Sequence, residues 1–134
     1  MSTDITQLKH SFEDKSAKIG VIGLGYVGLP LCLTLADKGF ATTGFDIDES
    51  KIELLSQGGS YISHIEDVSI KKQVDNGRLT ATHDLSQIAD MDAILICVPT
   101  PLTGEREPDL SFVISTAETI FPYLRIGQLI VLES

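Results

Sequence analysis

The sequence predicts an α/β fold: a single domain on a doubly wound, mostly parallel sheet with strand order 3-2-1-4-5. Three observations carry this expectation. From residue 18 onward, short apolar runs alternate with stretches of helical period. The run AILICV, 93–98, is apolar throughout and bounded by turn signals, as a central parallel strand covered on both faces is. Finally, Gly23-Leu24-Gly25-Tyr26-Val27-Gly28 leaves the apolar run 18–22 directly and opens a helical pattern, which puts G-x-G-x-x-G between a strand and a helix. A lone glycine triplet is weak evidence. In this setting it is a dinucleotide-binding fingerprint of the Rossmann type. Right-handed crossovers then set the switch point between the first and fourth strands.

Residues 1–17 are polar with apolar points at Ile5, Leu8 and Phe12, a spacing that suits a short amphipathic helix or, equally, a frayed tail. The domain itself is 18–134, and 18–22 is its first strand. Gly23 permits the tight turn out of that strand. Gly25, without a Cβ, admits a pyrophosphate close to the backbone. Gly28 lets the following helix pack tightly. The amides of the helix's first turn, about Tyr26 to Leu29, then face the phosphates with the positive end of the helix dipole behind them. Pro30 is compatible with a first turn, where the N–H has no intrahelical partner. The helix runs to Lys38 and Gly39 stops it. A second strand, 42–45, ends on Asp46, whose carboxylate is placed to accept from the adenosine ribose hydroxyls.

Asp48 caps a second helix, 49–56, ended by Gln57-Gly58-Gly59. Lys51 on its first turn is within reach of the ribose, and an exposed helix lysine is the plain alternative. In the loop 60–66, SYISHIE, Tyr61, Ile62 and Ile65 are suited to packing, while His64 has no preferred direction. A helix at 67–75 ends at Asn76-Gly77, and 79–82 is the third strand. Asp84 caps a brief helix through Ala89, and Asp90-Met91-Asp92 forms a turn. The fourth strand, 93–98, stops at Pro99-Thr100-Pro101. Ligands of open α/β sheets bind outside the carboxyl ends of strands, so Pro99 and Thr100 are expected to line the cleft unless they only terminate the strand. A charged loop, 102–108, follows. Asp109 or Ser111 caps a last helix with Val113, Ile114, Ala117, Ile120 and Phe121 on one face. Gly127 stops it before the fifth strand, 129–132.

The chain has 134 residues and a formal net charge of −9, which argues against nonspecific nucleic-acid or anionic-membrane binding but not against an anionic cofactor held by amides. The stretch 19–36 carries no charge, yet Gly20, Gly23, Gly25, Gly28 and Pro30 crowd its first half. It reads as buried core rather than a membrane span. Asp4, Glu13 and Asp14 in the preceding segment do not fit a secretory signal. Cys32 and Cys97 fall in core segments, as small apolar fillers of a reduced, cytoplasmic protein. His10, His64 and His83 have no metal-ligand spacing, and no metal is expected.

With these residues placed, the chain resembles the amino-terminal, NAD-binding domain of the UDP-glucose/GDP-mannose dehydrogenase family. The resemblance rests on VIGLGYVGLP (21–30), GFDID (44–48) with Lys51, ILICVPTPL (94–102), EPDLSFV (107–113) and YLRIGQLIVLES (123–134). YISHI (61–65) and REPDLSFV (106–113) are most similar to the bacterial branch acting on UDP-N-acetylhexosamines, the UDP-N-acetylglucosamine 6-dehydrogenase type. Such enzymes oxidise the sugar's primary alcohol at carbon 6 to a carboxylate with two NAD in turn, holding the aldehyde as a thiohemiacetal on a cysteine, and serve surface polysaccharide synthesis. The resemblance implies that Gly23, Leu24, Gly25, Tyr26, Val27 and Gly28 meet the pyrophosphate. Asp46 and Lys51 meet the adenosine ribose, Pro99 and Thr100 lie beside the cofactor, and Ser134 lies near the nicotinamide. The family's catalytic cysteine and lysine, its dimerisation helix and its UDP-binding domain have no counterpart here. The chain is therefore expected to be a cofactor-binding half, cut from a homodimeric enzyme and inactive alone, with no catalytic residue of its own. Three other readings share parts of this pattern: a stand-alone NAD-binding regulatory module, the NAD domain of a hydroxyacid or 6-phosphogluconate type of dehydrogenase, and a methyltransferase. VPTPL and EPDLSFV disfavour the second.

Overall fold

A computed structural model describes residues 5–133. Of the two readings of the amino-terminal segment, the helix is found, as α1 (Ile5–Glu13). It lies lightly on the domain: no residue of it is buried, and its anchor is Phe12, edge-on to Phe40 at 6.2 Å.

Five parallel strands follow in the expected order. β1 (Lys18–Ile22) is central, between β2 (Ala41–Phe45) and β4 (Ala93–Ile96). β3 (Leu79–Thr82) extends the sheet beyond β2, and β5 (Leu129–Leu132) beyond β4. Alternate side chains of β1 feed opposite layers. Val21 joins one core with Leu24, Leu29, Cys32, Leu55 and Ile70. Ile22 joins the other with Phe45, Ile88, Ile94, Ile96 and Ile120. The first core is roofed by α2 (Gly28–Asp37), α3 (Glu49–Ser56) and α4 (Asp67–Asp75). The second is roofed by the 3-10 turn Leu85–Asp90 and the end of α5 (Ser111–Ile120).

Four local expectations are corrected. β4 ends at Ile96, short of residue 98. Cys97 still donates its N–H to Ile22 at 2.7 Å, but β1 then turns away at Gly23, and neither Pro99 nor Pro101 has an N–H to continue the ladder. Cys97 is consequently only partly buried, whereas Cys32 is fully buried. α2 begins at Gly28, with Tyr26 and Val27 in the turn before it. The expected inner face of α5 is only partly used. Ile120 is buried and Val113 half-buried, but Ile114 and Phe121 are 56% and 74% exposed and Ala117 is exposed too. The helix leans on the 3-10 turn 85–90, and of its residues only Ile120 joins the buried core under the sheet, so a narrower stripe suffices. Its cap position is Leu110, and Asp109 accepts the Ser111 N–H from one residue further out.

Asp48, Asp84 and Asp109 each accept from the serine two residues on, at 3.0, 3.0 and 2.9 Å from its N–H. These bonds favour the charged form and hold all three carboxyls below the ordinary aspartate value of 3.8. The serine hydroxyl is the larger cause at Asp48 and Asp84, the backbone N–H at Asp109. A depressed native pKa gives stability that is fully present above the unfolded value and is lost as pH falls through the native one. The melting temperature is thus expected to be insensitive to these groups above 3.8 and to drop below it. Replacing Asp48 and Asp84 together by asparagine, which still caps but does not titrate, should make that acid limb shallower. An unchanged limb in the double variant would show that the caps do not contribute to it.

Candidate functional site

At the carboxyl ends of β1, β2 and β4, where the crossovers part to either side, the sheet opens into a cleft of about 580 Å³. One wall is the glycine loop. Gly23 leaves β1 with φ +96, a conformation that favours glycine, and donates its N–H to Phe45 O at 2.8 Å. Leu24 buries its side chain in the core and has both backbone groups engaged. Its N–H donates to Asp46 Oδ2 at 2.9 Å, and its carbonyl accepts from the Tyr61 hydroxyl. Tyr26 and Val27 stand exposed on the rim, with Tyr26 stacked on His64 at 6.1 Å between ring centroids.

The opposite walls are the tip of β2, the start of α3 and the segment after β4. Asp46 accepts from Leu24 through one oxygen and from the Asp48 N–H through the other, at 2.9 Å in each case. Each oxygen keeps a lone pair for a further donor. Lys51 lines the cleft with its Nζ 5.3 Å from the centre of the Tyr61 ring, and Pro99 and Thr100 line the far side. The candidate residues therefore converge on one cavity, apart from two. Gly28 is buried beneath the loop and does not reach the cleft, and Ser134 lies outside the described residues.

Three features escaped the sequence reading. Tyr61 holds the loop from behind. Cys97, taken for core filling, lines the cleft floor. α5, taken for a packing helix, gives the cleft Phe112, Ser115, Thr116 and Thr119. A hydroxyl-bearing stripe recurring at three- and four-residue spacing on an apolar helix was the available signal. Neither cysteine is poised as a nucleophile. Burial pushes the Cys32 thiol far up, with Cys97 adding to it; burial and then Glu133 raise Cys97. Among the described residues no cluster of His, Cys, Asp or Glu is fit to hold a metal ion, and no helix is long and apolar enough to cross a membrane.

The residues fit a dinucleotide. The glycines divide the work: a Cβ on Gly28 would fall 1.7 Å from Gly23 O, whereas a Cβ on Gly25 would meet no atom within 4 Å. Gly25 is thus not required by the protein's own packing. It keeps space free in front of the α2 amino terminus. Of the amides expected to face a phosphate, that of Leu29 is already bonded to Gly25 O at 3.1 Å.

The sequence matches the family model "UDP-glucose/GDP-mannose dehydrogenase family, NAD binding domain" over residues 17–134. It is 38% identical over 117 residues to the NDP-N-acetyl-D-galactosaminuronic acid dehydrogenase of Ralstonia nicotianae, covering 87% of this chain and 27% of that protein. It is 39% identical over 119 residues to the UDP-N-acetyl-D-mannosamine dehydrogenase of Escherichia coli, covering 88% and 28%. The solved NDP-N-acetyl-D-galactosaminuronic acid dehydrogenase of Methanosarcina mazei superposes with a TM-score of 0.79 at 33% identity, over 100% of this chain and 30% of that one. The chain thus spans just over a quarter of the length of the curated relatives it matches. It belongs to the UDP-glucose/GDP-mannose dehydrogenase family, as its NAD-binding domain.

Proposed function

We propose that this chain is the cofactor-binding part of a cytoplasmic nucleotide-sugar 6-dehydrogenase. The enzyme oxidises the primary alcohol of a UDP-N-acetylhexosamine to the uronic acid, for surface polysaccharide synthesis. The observation that carries this reading is the cleft itself, with Gly25 holding open space and Asp46 lining it beside the glycine loop. The names of the relatives, which act on N-acetylated sugars or their uronic acids, support the substrate class. Alcohol to carboxylate removes four electrons and takes up one water oxygen, so two NAD are reduced per sugar. Bound NAD supplies the oxidant. The chain's own residues bind and orient it: the loop 23–27 with the α2 amino terminus at the pyrophosphate, Asp46 and Lys51 at the adenosine ribose, and Pro99 and Thr100 beside the cofactor. Gly28 contributes by letting α2 sit close, and Ser134 is assigned to the nicotinamide side. The intact enzyme is a homodimer that takes the UDP-sugar outside these residues and binds neither nucleic acid nor membrane.

Calorimetry and turnover test this together. Asp46 sets a like charge against a 2′-phosphate, so NAD is expected to bind at least about tenfold more tightly than NADP. With UDP-N-acetylglucosamine, UDP-N-acetylmannosamine or UDP-glucose added, the NAD-bound chain alone should form no NADH, since neither thiol favours the thiolate that covalent oxidation needs. Equal affinities would overturn the ribose assignment. Sustained turnover would show that the chemistry is housed in this chain.

A further inference from the structure

We infer that Tyr61 is a positioning residue for the adenosine-diphosphate half of the cofactor site, its hydroxyl fixing the peptide that faces the pyrophosphate and its ring holding the ribose-side lysine. The inference rests on the NAD site proposed above. Tyr61 does not line the cleft, so any effect on the ligand acts through other residues.

The loop that carries Tyr61 is itself braced. Ser60 donates its N–H to Asp67 Oδ1 at 2.8 Å and its hydroxyl to Ile62 O at 2.9 Å, Ile65 donates to Ile62 O at 3.0 Å, and Ile62 is buried. From that base Tyr61 packs against the first core and donates to the Leu24 carbonyl. The carbonyl of Leu24 and the N–H of Gly25 belong to one trans peptide and point in opposite directions. Holding the carbonyl toward the core turns the Gly25 N–H outward, to the side where Gly25 lines the cleft. Asp46 grips the preceding peptide through the Leu24 N–H at 2.9 Å. The loop is thus set from two sides before a ligand arrives, and preorganisation of this kind raises affinity by removing an ordering cost.

The same ring has a second contact. Lys51 Nζ lies 5.3 Å from its centre. A lysine on the first turn of a helix otherwise samples many rotamers, and attraction to the ring face selects those lying along the cleft. Burial first, and then the charge of Asp46, raise the Tyr61 hydroxyl's pKa, so it keeps its proton to donate through neutral and alkaline pH.

The experiment separates the two ends of the side chain. Tyr61→Phe removes the hydroxyl and keeps the ring. It is expected to weaken NAD and ADP-ribose about tenfold by calorimetry, while leaving the affinity of adenosine, followed by amide shifts, unchanged. Tyr61→Leu should also weaken adenosine. Combined with Lys51→Met the loss should fall short of the sum of the single losses, since both act on one contact. Melting curves check that the variants fold. Equal losses for all three ligands in Tyr61→Phe would make the tyrosine merely structural and overturn the inference. So would wild-type affinity in that variant, and additive losses in the cycle would overturn the part assigned to the ring. Failure of the unmodified chain to bind NAD would instead overturn the functional reading, and this inference with it.

Discussion

Gly28→Ala is expected to destabilise the chain by about 3 kcal/mol or more and to abolish NAD binding with it. The added Cβ would lie 1.7 Å from Gly23 O and 2.9 Å from Gly23 C. Both are main-chain atoms, so no side chain can swing aside. Gly23 cannot yield either. Its N–H is bonded to Phe45 O at 2.8 Å, and a Cβ of its own would already sit 2.8 Å from Cys97 O. The loop is wedged between β1 and the segment following β4, so relief requires α2 to lift from the sheet. That would expose Leu29 and Cys32, both fully buried. Denaturant unfolding of the two proteins, with NAD titrated into each, measures both effects. An unshifted midpoint would mean that α2 does not pack on the loop as closely as described.

Gly25→Ala is expected to do the reverse. No atom lies within 4 Å of the added Cβ, and Gly25 does not have a positive φ. Alanine there should fold normally and gain about 0.4–1 kcal/mol, because it restricts the unfolded chain. Yet the methyl group occupies the space that a pyrophosphate needs against the loop, and NAD affinity should fall about a hundredfold. The two variants together dissociate folding from binding within one hexapeptide. Wild-type NAD affinity in Gly25→Ala would remove the glycine loop from the proposed site.

What the sequence conveyed, and what it hid, follow from how each interaction is encoded. Strand order was legible because handedness and the glycine turn leave few topologies for five alternating units. Asp46 was legible because a strand-end acid at the right distance from a glycine loop has a stereotyped position. Tyr61 was not, because its partner is a carbonyl 37 residues away, and a backbone acceptor leaves no trace in residue identity. The extent of β4 was overread for a related reason: apolar character reports burial, while pairing depends on where the neighbouring strand turns away. The α5 error is of the same kind. Periodicity says which side chains share a face, but not whether a sheet lies beneath them.

The central place of β1 has a consequence for how the molecule comes into being. Its contacts with β2 close within one local β-α-β unit, but its other edge waits for β4, across a separation of 74 residues at the bond from Lys18 N–H to Asp92. Loop closure of that length is entropically slow, and parallel pairing offers no shorter route. A nascent chain can therefore form the glycine turn early and still lack half its support. Cys97, against which Gly23 and Gly28 are fitted, arrives only when the second half of the sheet docks. The glycine loop is made of residues from the first third of the sequence, yet what it is fitted against comes from the last third.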